Sequence, residues 1–231
     1  MTTRTPIGSP ALRLTGVSVA YADDAPALED CSLEVALGER VALLGANGSG
    51  KTTLLLATVG LVPHAGEIHV EGVRLDPVHP DDVRQRIGFL FSNPEDQILF
   101  PRVLDDVGFA LRLRGTPAPE ADARALDILE SLGAAHLAER SPYRLSRGQR
   151  LRVALAGAVV AAPTLLLLDE PTSGLDPAGR RSLVATLSRL PAAMLIATHD
   201  LDFARQCCNR FVLLEDGRVV AEGSRFESVA L

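Results

Sequence analysis

Val41-Ala42-Leu43-Leu44, Gly45-Ala46-Asn47-Gly48-Ser49-Gly50-Lys51-Thr52 and Thr53-Leu54-Leu55-Leu56-Ala57 follow one another without a break. The first run is short and apolar and reads as a buried strand, and the last begins an apolar helix. The glycine-rich stretch between them fits G-x-x-x-x-G-K-[ST], and strand–loop–helix is the context that this pattern needs to hold phosphate. Glycine tolerates the positive φ angles that turn successive backbone N–H groups toward one anion. The helix end adds partial positive charge and unpaired donors. Lys51 is predicted to bridge the outer phosphates of a nucleotide, and the Thr52 hydroxyl to ligate magnesium. The competing reading, a turn that merely links strand to helix, does not require the complete motif. The candidate nucleotide site is therefore Gly45, Ala46, Asn47, Gly48, Ser49, Gly50, Lys51, Thr52 and Thr53.

Three further segments lie downstream in a fixed order. They are Leu145-Ser146-Arg147-Gly148-Gln149, then Leu165-Leu166-Leu167-Leu168-Asp169-Glu170, then Thr198-His199-Asp200. Asp169 ends an apolar strand run, which puts its carboxylate at the sheet's carboxyl edge, close to a metal held by Thr52. Glu170 offers a carboxylate base and His199 an imidazole. Leu-Ser-x-Gly-Gln alone reads as a helix cap with Ser146 as N-cap.

Composition narrows the class. The chain has 231 residues, 47% of them hydrophobic, enough for one large domain or two small ones. A net charge of −6 leaves no broad basic footprint, so no nucleic-acid partner is expected. Three cysteines, Cys31, Cys207 and Cys208, make no disulfide framework and read as reduced core residues. Val153 to Leu168 is interrupted by Pro163 and Thr164 and falls short of the roughly 20 residues of a membrane span. Met1 to Pro6 lacks the apolar core of a signal peptide.

Leu12–Val19 and Ala27–Leu37 alternate apolar and polar residues and are predicted as antiparallel strands, followed by a short strand over Gly66–Gly72 and a buried one over Arg86–Phe91. From Asp105 to about Ala138 the pattern is helical, broken at Gly115–Pro119, with Ala125, Leu126, Leu129 and Leu132 at helical spacing. Strand Leu165–Leu168, helix Ala178–Arg189, strand Ala193–Ala197 and helix Leu201–Cys207 follow. A hairpin turns at Asp216-Gly217. The expected fold is α/β: one P-loop ATPase domain over 1–231, with an N-terminal antiparallel β subdomain and an inserted α-helical subdomain at about 94–146.

From about Leu12 to Ser224 the chain resembles the ATPase subunit of an ATP-binding-cassette transporter. Leu145–Gln149 is similar to that family's signature LSGGQ, with Arg147 in place of a glycine. The resemblance implies that Ser146, Gly148, Gln149 and the helix they open face ATP held by the opposite subunit. It implies that Asp169 binds magnesium and that Glu170 is the general base. His199 is implied to sense the γ-phosphate, Asp176 to sit in the loop crossing the dimer interface, and Tyr21 to stack on adenine. Phe91–Phe100 resembles the F-Q-N-P-x-x-Q segment of energy-coupling-factor importers, and Ser141–Ser146 with Leu195–Leu201 looks most like their cobalt and nickel subunits. There Gln97 matches a glutamine in the segment pressed against the membrane coupling subunit. Ser92 replaces the glutamine that contacts magnesium, and its short side chain leaves that contact in question.

The implied function is ATP hydrolysis, with ATP and Mg2+, powering uptake of cobalt or nickel through membrane partners. The implied assembly is a head-to-tail homodimer, or a heterodimer with a similar ATPase. It would bind a transmembrane coupling subunit and a substrate-binding membrane subunit at the cytoplasmic face of the cell membrane. Alternatives are a vitamin importer of the same type, such as one for biotin, and a nucleotide-gated regulatory module with minimal turnover. Chromosome-maintenance ATPases are disfavoured, because no sustained heptads lie between Lys51 and Asp169.

Overall fold

Period-two burial runs through Leu12–Val19 (β1) and Leu28–Val35 (β2), which pair antiparallel with Leu12 opposite Val35. The register slips between Leu14 and Val17, around Gly16, whose φ of 61° bends the strand. The structure, a computed structural model, describes residues 9–21 and 26–229. Met1–Pro6, the stretch judged against a signal peptide, lies outside the described residues. After β3 (Arg40–Leu44) come α1 (Lys51–Thr58), β4 (Ala65–Val70), β5 (Val73–Arg74), α2 (Asp81–Arg84) and β6 (Ile87–Leu90). The helices α3 (Val103–Leu113), α4 (Ala118–Ser131) and α5 (Arg147–Val159) precede β7 (Leu165–Asp169). The chain continues through α6 (Pro177–Leu187), β8 (Ala193–Thr198), α7 (Leu201–Cys207), β9 (Arg210–Glu215) and β10 (Arg218–Gly223).

Two sheets result. One is antiparallel in the order β2-β1-β4-β5; the other runs β10-β9-β3-β8-β7-β6, parallel from β9 to β6 with β10 antiparallel at its edge. β7 shows why its four leucines occur in a row. Leu165 and Leu167 face the core shared with the antiparallel sheet and α1, while Leu166 and Leu168 face the core shared with the helices. A strand covered on both faces has no polar side to alternate with.

The helical stretch departs from the sequence expectation in detail. α3 starts two residues ahead of Asp105, and α4 begins at Ala118 inside the predicted break, because Pro119 in a first turn lacks only an N–H that the turn leaves unpaired. Leu126, expected on the buried face, is 44% exposed; Ala121, Ala125 and Leu129 form the buried stripe instead. The small elements β5 and α2 carried no usable periodicity. α5 packs on α3 and α4 on one side and on β6 on the other. It approaches β6 so closely that a Cβ on Gly88 would stand 2.2 Å from the Ala158 carbonyl oxygen.

Candidate active site

The site lies at the carboxyl ends of β3, β7 and β8, where the loops leaving a parallel sheet converge. β3 ends at Leu44, and the chain then turns through Gly45 (φ 153°), Gly48 (φ 83°) and Gly50 (φ 102°) into α1. A Cβ on Gly45 would meet the Leu214 carbonyl oxygen at 2.3 Å, and one on Gly50 the Ala27 carbonyl oxygen at 2.6 Å. The loop is thus wedged against two strands as well as bent. Ala46, Asn47 and Gly48 are exposed at its tip, Thr53 is half-buried on α1, and Ser49 is buried with its hydroxyl lacking a partner among the described residues. Lys51 Nζ, almost fully buried, donates to the Gly45 and Ala46 carbonyls at 2.8 and 2.9 Å.

Asp169 and Glu170 arrive from β7. The Thr52 hydroxyl lies 3.1 and 3.0 Å from the two Asp169 carboxylate oxygens. Burial pushes the Asp169 carboxyl above its ordinary range and the adjacent Glu170 charge adds to this, while hydrogen bonds from Thr52 and Ser92 and the Lys51 charge pull it back. Ser92, the residue in place of a glutamine, thus lies on the side of the carboxylate where it tempers that rise. Glu170 turns sharply out of the strand at φ 44°, held by its N–H to the Ala197 carbonyl and its carbonyl to the Ser173 N–H. One carboxylate oxygen lies 2.9 Å from His199 Nδ1 and 3.3 Å from the Thr198 hydroxyl. The other is buried without a hydrogen bond, 3.8 Å from Lys51 Nζ.

The fit of nucleotide and metal follows from these atoms. The unpartnered Ser49 hydroxyl and Glu170 oxygen both border the phosphate loop, and a buried polar atom left unpaired is costly. Thr52, Asp169 and Ser92 present only hard oxygen atoms, the donor set that magnesium takes.

The remaining predicted residues lie apart from this cluster. Ser146 and Gln149 cap α5 reciprocally: the Ser146 hydroxyl accepts from the Gln149 N–H at 3.4 Å, and the Gln149 side chain accepts from the Ser146 N–H at 2.9 Å. Gly148 follows in that first turn, with Leu175 nearby. Asp176 caps α6, accepting from the Gly179 N–H at 2.7 Å. Tyr21 is 46% exposed after β1. Gln97 is turned inward, accepting from the Phe91 N–H at 3.0 Å and donating to the Ala154 carbonyl at 3.1 Å. It shapes the Phe91–Phe100 segment from within instead of offering its amide outward. Sequence reasoning missed two residues. Asp106 on α3 accepts from the Leu99 and Phe100 N–H groups at 2.7 and 3.1 Å, and no motif marked it. Arg147, noted only as a departure from the signature, bonds to two loops, and its replacement of a glycine was the available signal.

Residues 28–173 match the family model described as ABC transporter. The chain belongs to the ABC transporter family. As an ABC ATPase it binds ATP with magnesium and hydrolyses it. A protein of Streptomyces avermitilis, which carries the general name of an ABC transporter ATP-binding protein, is 40% identical and aligns with 100% of this chain and 90% of its own length. The energy-coupling factor transporter ATP-binding protein EcfA of Methanothermobacter thermautotrophicus is 38% identical over 94% of this chain and 71% of its own. The solved structure of cbiO1 from Clostridium perfringens, part of the ABC transporter complex cbiONQ, superposes with a TM-score of 0.83 at 33% identity, covering 94% of this chain and 89% of that one. The fold is that of these ATP-binding cassettes. Among the described residues no helix is long and apolar enough to cross a membrane.

Proposed function

We propose that this ABC ATPase is the energising subunit of an energy-coupling-factor importer for a transition-metal ion, cobalt or nickel. The observation that carries the hydrolytic part is Glu170, with one oxygen held by His199 and the other buried beside Lys51 without a hydrogen bond. A carboxylate so oriented accepts a proton from the attacking water, while His199 and Thr198 keep its lone pairs aimed. Lys51 exchanges its two loop carbonyls for phosphate oxygens, so the loop is already shaped for an anion before one enters. Asp169 and Thr52, with Ser92 beside them, would hold magnesium, which when bound would neutralise charge on the outer phosphates. Ser146, Gly148 and Gln149 at the head of α5 face the nucleotide of a second ATPase, homologous or identical, arranged head to tail. Asp176 lies in the loop between the two subunits, and Tyr21 stacks on adenine.

The importer type is supported by the Phe91–Phe100 segment and by the likeness to EcfA and to cbiO1. A groove of about 190 Å³ runs beside this segment, walled by Phe89, Phe100 and Phe109 and bordered by Leu99, which is 69% exposed. A groove of this form, aromatic along one wall and polar at Gln97, Asp106 and Arg114, suits a helix of a membrane coupling subunit, and in this reading the ATPase works at the cytoplasmic face of the membrane. The intact Glu170–His199 pair favours turnover over a purely regulatory role.

Glu170→Gln keeps the shape and removes the base. Turnover is expected to fall about 10²–10⁴-fold, while ATP binding persists and an ATP-bound dimer accumulates on size exclusion. A Glu170→Gln protein that stays monomeric with saturating ATP and magnesium at high protein concentration defeats the two-subunit reading. The metal is tested by radiolabelled cobalt and nickel uptake in cells expressing the chain with its membrane partners. Uptake of neither ion, with biotin transported instead, would transfer the assignment to the vitamin alternative.

A further inference from the structure

Arg147 is the first residue of α5 and stands where the signature has a glycine, so whatever its side chain does is additional to the motif. The guanidinium is exposed and reaches out of the helical layer. Its Nε donates to the Ser173 carbonyl at 2.8 Å, and one terminal nitrogen lies 3.4 Å from the Ser173 hydroxyl and 3.5 Å from the Ser92 carbonyl. Ser173 and Gly174 begin the loop that ends at Asp176. Gly174 has φ +69°, and a Cβ there would stand 2.5 Å from Arg147 Nε, so the arginine lies flat across a backbone that only glycine leaves clear. Ser92 in turn stands two residues beyond the end of β6, which pairs with the strand β7 that ends at Asp169. One side chain thus joins the head of α5, the Ser173–Asp176 loop and the residue next to the metal carboxylate.

We infer that Arg147 is a positioning residue that braces the Ser173–Asp176 loop and the Ser92 segment against the head of α5, holding each subunit in the shape that pairs with its partner. The inference rests on the reading of Asp176 as an interface residue. A planar guanidinium suits the task because its N–H donors form a rigid fork that meets two carbonyls from different loops, whereas a lysine offers a single ammonium on a flexible stem. Ordering the loop before association removes part of the entropy cost of dimer formation. The brace meets Ser92 only at its carbonyl and touches no residue of the phosphate loop, so nucleotide binding within one subunit is nearly unchanged.

The test uses the full chain carrying Glu170→Gln, alone and with Arg147→Ala or Arg147→Lys. Three quantities are measured: ATP affinity of the dilute subunit, the ATP concentration at half-maximal dimer by light scattering, and hydrogen exchange of residues 173–176 without nucleotide. Both arginine variants should bind ATP within about twofold of the parent yet need about 10-fold more ATP to dimerise, a size in keeping with the loss of charged hydrogen bonds. Exchange at 173–176 should quicken in both. If Arg147→Lys dimerises like the parent, positive charge alone suffices and the side chain serves the opposite nucleotide instead, which overturns the brace. Unchanged exchange in Arg147→Ala overturns it as well, and does so even if the parent fails to dimerise, an outcome that counts against the two-subunit reading itself.

Discussion

Asp169 and Glu170 are adjacent carboxylates at one strand end, and the fold treats them differently. Glu170 is turned out by its left-handed backbone, a conformation costing of order 1–3 kcal/mol in a non-glycine residue, and is compensated by backbone bonds on both sides. Asp169 stays in the strand, 2% exposed, with its carboxyl raised by burial and by Glu170. A raised carboxyl favours the folded state in its protonated form, so this contribution is present at low pH and is lost as pH rises through the folded-state value. Asp169→Asn removes the buried charge and keeps an acceptor for Thr52. Without nucleotide, its melting temperature at pH 8 should exceed the parent's by about 2–4 °C, roughly 1 kcal/mol for a chain of this size, and the gap should narrow on acidification toward the ordinary carboxyl range. Hydrolysis should be lost. A gap that is absent, or that widens on acidification, refutes this account of Asp169.

α5 is the element on which the site's geometry depends most. Its first turn carries the signature, its apolar side fills the helical core, and its far side touches β6 at Gly88. Its start was legible because Ser146 and Gln149 form a capping box, a local device. Its contact with β6 was not, since a glycine in a strand says only that something comes close. Gly88→Ala forces the Ala158 backbone or Leu166 side chain to move and should cost about 1–3 kcal/mol in denaturant unfolding. A cost below about 0.5 kcal/mol would mean that α5 is free to shift off β6. Leu126 carries the related lesson: the period admits several stripes, and packing against α3 and α5 selected the one through Ala121, Ala125 and Leu129.

At the scale of the whole molecule, the phosphate site and the groove beside Phe91–Phe100 lie at opposite ends of one short path. Ser92 lies just beyond β6 where that strand runs beside the Asp169 end of β7, Gln97 anchors the segment to α5, and Asp106 fixes Leu99 and Phe100 from α3. Burial raises the Asp106 carboxyl, while those two N–H donors oppose the rise. A partner pressing on the groove thereby presses on the segment that meets the metal site. Leu99→Asp puts a charge on the apolar rim without touching the nucleotide. It should abolish co-purification with membrane partners while the isolated subunit keeps its basal hydrolysis within about twofold. Retained co-purification would remove the groove from the coupling path.

The phosphate loop and the strand-end position of Asp169 could be read from the chain because each belongs to a short segment whose chemistry depends on neighbours in sequence, whereas His199 took its meaning from its place in the order of motifs. The alternating and the all-leucine strands were legible for a similar reason, since burial on one face or two leaves a direct mark on the pattern. Only the tertiary structure decided strand order, the inward turn of Gln97, the anchoring by Asp106 and the span of Arg147. These depend on backbone carbonyls and N–H groups brought together from distant parts of the chain. Every residue carries such groups, so a sequence of side chains holds no sign of which ones will meet.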